Sequence, residues 1–162
     1  VSTISESPSS DHVVPVVEPA TLDDLEALTT LLMDLLEQEL DFEPDRNKQE
    51  HGLRLILENP NRGRIFVLRT DHTVIGMASI LFTISTAEGG MALNMEDVII
   101  HPDHRGNGYG TQVLQSIMDF AKAKNFCRIT LLTDRISKDS QRFFEKNGFG
   151  YSEMIPMRIQ IR

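Results

Sequence analysis

The sequence contains no tryptophan, two tyrosines and a single cysteine. One cysteine can form no intrachain disulfide, so the chain is not one of the stapled secreted scaffolds. Cys127 enters an apolar run, Phe126-Cys127-Arg128-Ile129, and reads as buried packing of a strand rather than as a nucleophile. No apolar run reaches the roughly 18 to 20 residues of a membrane helix, so no membrane partner is expected. Basic residues are also in deficit: 16 Lys and Arg stand against 24 Asp and Glu, a formal charge of −8. That balance argues against nucleic acid as a partner, because phosphate binding needs clustered Lys and Arg. It serves solubility first, and it is compatible with a cationic substrate. The Ser-rich start lacks the basic and apolar regions of a signal peptide, so the cytoplasm is the expected compartment. Residues 1–12 are expected to form a flexible tail.

A chain of 162 residues suffices for one domain with a sizeable core. Residues 13–162 read as that single domain, with neither an internal repeat nor a linker. A short β-rich run at 13–18 is closed by Pro19. Thr21-x-x-Asp24 has the form of a capping box and opens a helix. Its leucines at 25, 28, 31, 32, 35 and 36 keep a helical period to about Leu40. Pro44 breaks the chain, and a second helix is predicted over 47–58. The period then switches to strands at 64–70, 73–83 and 91–100, the first two joined by a turn at Asp71-His72. An amphipathic helix from 108 or 109 to 124, a strand at 128–133 and a helix at 137–147 stopped by Gly148 follow. Further strand is expected between Phe149 and Ile161, around Pro156. The order is an α/β mixture with a central meander, not the strict alternation of a doubly wound sheet.

The segment that carries chemistry runs from Asp97-Val98-Ile99-Ile100 through His101-Pro102-Asp103-His104 into Arg105-Gly106-Asn107-Gly108-Tyr109-Gly110-Thr111. A strand leads into a loop with three alternate glycines, and the loop leads into a helix. Such glycines let a ligand approach the main chain. Successive amides then form an anion nest, backed by the positive end of the helix. A pyrophosphate is the expected occupant, and Arg105 can add charge-assisted hydrogen bonds. A Walker loop is excluded, since no lysine follows until Lys122. A dinucleotide fingerprint is disfavoured by the spacing and by the antiparallel-looking strands before it. His101, Asp103 and His104 lack a further ligand at suitable spacing, so no metal is expected.

The run Arg105-x-x-Gly108-x-Gly110 after a hydrophobic strand and His-Pro resembles the acetyl-CoA motif of the GNAT acyltransferase superfamily. The segment Phe143-Phe144-Glu145-Lys146-Asn147-Gly148-Phe149 looks like the second motif of that family, which usually ends Phe-Tyr-x-x-x-Gly-Phe. The element order from about Val13 onward fits as well. The resemblance implies an α/β GNAT fold, a mixed and mostly antiparallel sheet flanked by helices. It also implies transfer of an acetyl group from acetyl-CoA to a primary amine (a small amine, a polyamine or a lysine-bearing peptide) in a ternary complex. Residues 105–111 would then hold the pyrophosphate, with Ser137, Ser140 and Phe144 as further cofactor contacts. Val98, Ile99 and Ile100 would lie along the pantetheine arm, with an N–H near Val98 or Ile99 polarising the thioester carbonyl.

A protonated amine must lose a proton before attack. Family members often carry a carboxylate base where Glu96 and Asp97 stand. Strand alternation puts these two on opposite faces, and Glu96 is the preferred base. One departure matters: the family's usual acid is the tyrosine of Phe-Tyr, and this chain has Phe144 there. Tyr109 and Tyr151 are the only tyrosines left to serve. Phe144 also motivates an alternative reading, a CoA-binding sensor with weakened catalysis. Glu37, Glu39, Asp41, Glu43 and Asp45 lie where the family usually lines the acceptor side, and they would attract a cation. Dimers are common in the family, which makes a second copy of the chain a candidate partner.

Overall fold

The computed structural model describes residues 13–39 and 41–162. The expected tail at 1–12 therefore lies outside the described residues, while the first helix, expected to run to about Leu40, ends at Leu36. The chain divides into two compact units, one ending at Thr130 and the other running from Leu131 to Arg162.

Strand β1 (Val16–Pro19) is followed by a 3-10 turn at Leu22–Asp24 and then by helix α1 (Leu25–Leu36). Thr21 opens the turn as expected, its N–H donating to Asp24 Oδ2 at 3.0 Å. Helix α2 (Arg46–Leu57) starts where Asp45 accepts from the N–H groups of Asn47 and Lys48. That use satisfies two of the helix's orphan donors. It also gives one member of the acidic run a structural task in place of substrate attraction.

Three long strands form the meander: β2 (Gly63–Thr70), β3 (Thr73–Ser85) and β4 (Gly90–Ile100). Thr70 pairs with Thr73, so Asp71 and His72 make a two-residue turn, with φ of 45° and 66°. Positive φ at both central residues is the hairpin geometry that matches strand twist. Helix α3 (Tyr109–Ala123) ends at Asn125, whose φ of 59° turns the chain toward β5 (Ile129–Leu131). The sheet order is β1-β2-β3-β4-β5, and β1, β2, β3 and β4 pair antiparallel. Cys127 N–H bonds Met91 O and Leu93 N–H bonds Arg128 O, both at 2.8 Å. Residue numbers rise together along the two segments, so the chain entering β5 runs parallel to β4.

Alternation along β2 shows the layering. Ile65 and Val67 join Leu25, Leu28, Leu31, Leu53 and Met77 in one buried cluster with α1 and α2. Phe66, between them, meets Phe120 of α3 edge to face at 5.5 Å. Helices therefore cover both faces of the sheet, which is why β2 reads as an unbroken apolar run and not as an alternating one. Leu28 and Val67 are wholly buried. Truncating such a leucine to alanine typically costs about 2–5 kcal/mol.

Helix α4 (Lys138–Lys146) belongs to the second unit. The strands expected after Phe149 do not form; residues 149–162 carry no regular structure, and Met154, Ile155, Met157, Ile159 and Ile161 are all exposed. Alternating side chains give a strand its faces, but a ladder also needs an edge to accept its N–H and C=O groups. Cys127 corrects a second expectation. It is exposed at the edge of the sheet, and its Sγ approaches Met91 O at 3.1 Å and Glu88 Oε2 at 3.5 Å.

Candidate active site

The β3–β4 ladder slips by one residue in its middle. Ala78 pairs with Val98 and Ile80 with Met95, so Glu96 and Asp97 together face Ser79. This is a β-bulge, which re-aims side chains and locally suspends strict alternation. Strict alternation therefore does not assign faces to Glu96 and Asp97 across the slip. Glu96 is exposed, whereas Asp97 is half-buried.

Ser79 is wholly buried in the most apolar part of β3. Its hydroxyl donates to Asp97 Oδ2 at 2.8 Å and accepts from Asp97 N–H at 3.2 Å. Burial holds the Asp97 carboxyl above its ordinary range, and the Ser79 hydrogen bond pulls in the opposite direction. A raised carboxyl of this kind is better matched to accepting a proton near neutral pH than an ordinary aspartate. Ser79 escaped the sequence reading. Its one signal was a lone hydroxyl in the run Val74-Ile75-Gly76-Met77-Ala78-Ser79-Ile80-Leu81.

Past the bulge the ladder is regular. His101 N–H bonds Ile75 O at 2.7 Å, and the same register pairs Ile99 with Met77. Antiparallel ladders alternate bonded and non-bonded pairs, so Ile99 is turned toward β3. Val98 and Ile100 then direct their main-chain groups away from β3. Of the two expected oxyanion donors, Val98 has the available direction.

The loop after β4 is tied back to it. Arg105 Nε donates to Ile100 O at 2.9 Å, and Asn107 Nδ2 donates to the carbonyls of His104 and Arg105 at 3.1 and 3.3 Å. His101 Nδ1 accepts from Asp103 N–H at 3.2 Å, so this ring caps the 3-10 turn Pro102–His104. Among the described residues no cluster of three or more His, Cys, Asp or Glu side chains could hold a metal. Gly106 and Gly108 have φ of 78° and 76°. An added Cβ at either would meet nothing within 4 Å, so the left-handed backbone, not crowding, demands glycine. The N–H groups of residues 106–111 have no hydrogen-bond partner among the described residues, and Tyr109, Gly110 and Thr111 form the first turn of α3. Alternating handedness, unspent donors and a helix N-terminus make a donor set that fits a pyrophosphate. Nothing in it requires a side-chain cation.

In the second unit Ser137 caps α4. Its hydroxyl accepts from Ser140 N–H at 3.3 Å and donates to Ser140 Oγ at 2.9 Å. At the other end Gly148, with φ of 95°, stops the helix, while Phe149 N–H reaches back to Phe144 O at 3.1 Å. Tyr151 Oη donates to Gln141 Oε1 at 3.0 Å. Desolvation and the Glu145 carboxylate keep its phenol protonated above the usual tyrosine range.

A meander bulged beside a carboxylate, followed by a main-chain anion nest, is the arrangement that the resemblance to CoA-dependent acyltransferases implies. The model of the acetyltransferase (GNAT) family matches residues 25–149, and the chain belongs to that family. A curated relative, the aminoalkylphosphonate N-acetyltransferase of Salmonella typhimurium, is 26% identical over 144 residues, covering 88% of this chain and 90% of that protein. The glucosamine 6-phosphate N-acetyltransferase of Trypanosoma brucei brucei is 28% identical over 99 residues, 60% of this chain and 65% of that one. Among solved structures, a predicted acetyltransferase from Clostridium acetobutylicum determined with acetyl-CoA superposes with a TM-score of 0.74. It is 21% identical and covers 90% of this chain and 96% of its own. The mostly antiparallel α/β sheet flanked by helices is thus the GNAT fold.

Proposed function

We propose that the protein transfers the acetyl group of acetyl-CoA to a primary amine, by direct attack within a ternary complex, with Asp97 as the general base. The observation that carries this reading is the sequence of features along one segment: a half-buried carboxylate at the bulge, an outward Val98 N–H, and a nest of unspent amides. Acetyl-CoA supplies an activated acetyl thioester and a thiol leaving group. The amides of residues 106–111 bind its pyrophosphate, with Arg105, already braced on Ile100 O, adding charge at the rim. Asp97 takes the proton that the amine loses as its nitrogen bonds to the acetyl carbon and the C–S bond breaks. Val98 N–H faces the carbonyl oxygen as charge develops there. The thiol needs little help to leave, since its ordinary pKa is about 8.5. That agrees with Phe144 in place of a proton-donating tyrosine. Roles for Ser137, Ser140 and Phe144 toward the cofactor rest on the family motif, and the Ser137 hydroxyl already serves as a helix cap.

An amine acceptor is also what the names of the two curated relatives specify for those proteins. The negative charge of the acids at 37, 39, 41 and 43 supports a cationic acceptor, and Asp45 caps α2. The deciding experiment is thiol release from acetyl-CoA across a panel of aminoalkylphosphonates, amino sugars, polyamines and lysine peptides. Release with at least one acceptor is expected. CoA binding with no release across the panel would favour the sensor reading.

A further inference from the structure

A hydroxyl buried in a central strand costs free energy unless both its donor and acceptor capacities are met. Ser79 spends both on one residue: it receives the Asp97 N–H and gives its proton to Asp97 Oδ2. The pair sits at the β-bulge, where Ser79 of β3 opposes both Glu96 and Asp97. No other hydrogen bond to the Asp97 carboxylate occurs among the described residues, so Oδ1 is the oxygen left to take a proton. The arrangement fixes backbone and side chain with one group.

We propose that Ser79 is a positioning residue for the transfer reaction, locking the Asp97 carboxylate so that Oδ1, and not Oδ2, is presented as the proton acceptor. The proposal rests on the reading of Asp97 as base. A β3 side chain without a hydroxyl would remove the hydrogen bond that holds Asp97 Oδ2 and let the carboxylate rotate. Among the described residues no charged group adds to the shift of Asp97. Its β3 neighbours are Ala78, Ser79 and Ile80, and Glu96 precedes it on its own strand. Neither Glu26 and Asp34 of α1 nor Tyr109, Asp119 and Lys122 of α3 contributes to its shift, which comes from burial and from Ser79 alone.

The test is to titrate the Asp97 side-chain carboxyl by carbon NMR in the unliganded full chain, beside pH–rate profiles, for wild type, Ser79→Ala and Ser79→Thr. The hydrogen bond lowers the carboxyl pKa, so its loss in Ser79→Ala should move the NMR midpoint and the acid limb of kcat/KM to higher pH. The plateau should fall by about 10- to 100-fold, less than the roughly 10²- to 10⁴-fold contribution of a general base as a whole. Ser79→Thr should restore both. If the alanine chain does not fold, Ser79→Cys replaces a strong donor with a weak one at similar size and is read by the same titration. An unmoved NMR midpoint in a folded variant without the hydroxyl overturns the proposal. The base reading fails separately: if Asp97→Asn keeps the full rate, Asp97 is not the base, whatever Ser79 does to its titration.

Discussion

Phe149 N–H donates to the Phe144 carbonyl at 3.1 Å, and the two rings meet edge to face with centroids 5.8 Å apart. Gly148 N–H bonds Glu145 O at 3.0 Å beside it. Together these bonds are the Schellman ending of a helix, hydrophobic contact included. The spacing Phe-x-x-x-Gly-Phe is therefore a helix stop before it is anything catalytic. Gly148→Ala, forced to a φ of 95°, is expected to cost about 1–2 kcal/mol. Thermal melting should register that loss, and an unchanged Tm would show that the stop does not need glycine.

The nest glycines make a different prediction. Gly106 and Gly108 stand at φ of 78° and 76°. An L side chain resists that conformation by roughly 1–2 kcal/mol, about 5- to 30-fold in an equilibrium constant. Gly106→Ala and Gly108→Ala should each weaken CoA binding by that factor in calorimetry. Asn107→Ala, which leaves the main-chain torsions allowed, should weaken it less.

Asp97→Asn is expected to lower kcat/KM by 10²- to 10⁴-fold, whereas Glu96→Gln should keep most of the rate. The pH dependence follows from the direction of the shift. Asp97 must be ionised to act, so activity should fall as pH drops through its raised pKa. Stability runs the other way. A carboxyl raised in the fold contributes stability that is full below the ordinary aspartate value of 3.8 and is lost as pH rises through the folded value. Asp97→Asn should thus melt no lower than wild type at neutral pH, and a clear loss of Tm there would contradict this assignment.

Arg69 bridges β1 and the start of α1, meeting Glu18 Oε1 at 2.6 Å and the buried Asp24 Oδ1 at 2.9 Å. Both bonds favour the charged guanidinium and raise its pKa further. Removing Arg69 strands the buried Asp24 carboxylate, while the exposed Glu18 can turn to water. Arg69→Met should cost on the order of 3 kcal/mol in denaturant unfolding, and Arg69→Met with Asp24→Asn should recover part of it.

Cys127 is exposed, yet its surroundings do not activate it. Desolvation and the neighbouring Glu88 carboxylate hold its thiol above the ordinary cysteine range. Alkylation by iodoacetamide at pH 7 should be slower than for a free thiol and should speed up only above pH 9. Rapid labelling at neutral pH would refute the shift.

Much of this was legible in residue order. Thr21-x-x-Asp24, Asp71-His72 and Gly148 are local signals whose meaning is settled within four residues, and each does in the structure what its chemistry predicts. The glycine loop was readable for the same reason. The bulge was not, because it is a relation between strands: nothing in Glu96-Asp97 reveals that β3 opposes the pair with one residue. Assigning a face to either acid by alternation depends on that hidden offset. The missing strands after Phe149 and the exposure of Cys127 share the cause, since a strand's partner and a residue's cover both come from distant chain.

A surface assembled from main-chain amides has no side chains of its own to alter. At residues 106–111 the direction of the main-chain donors is set by torsion angles, and a polypeptide can spell those angles with few fixed letters. The vocabulary of the loop is open; its geometry is not.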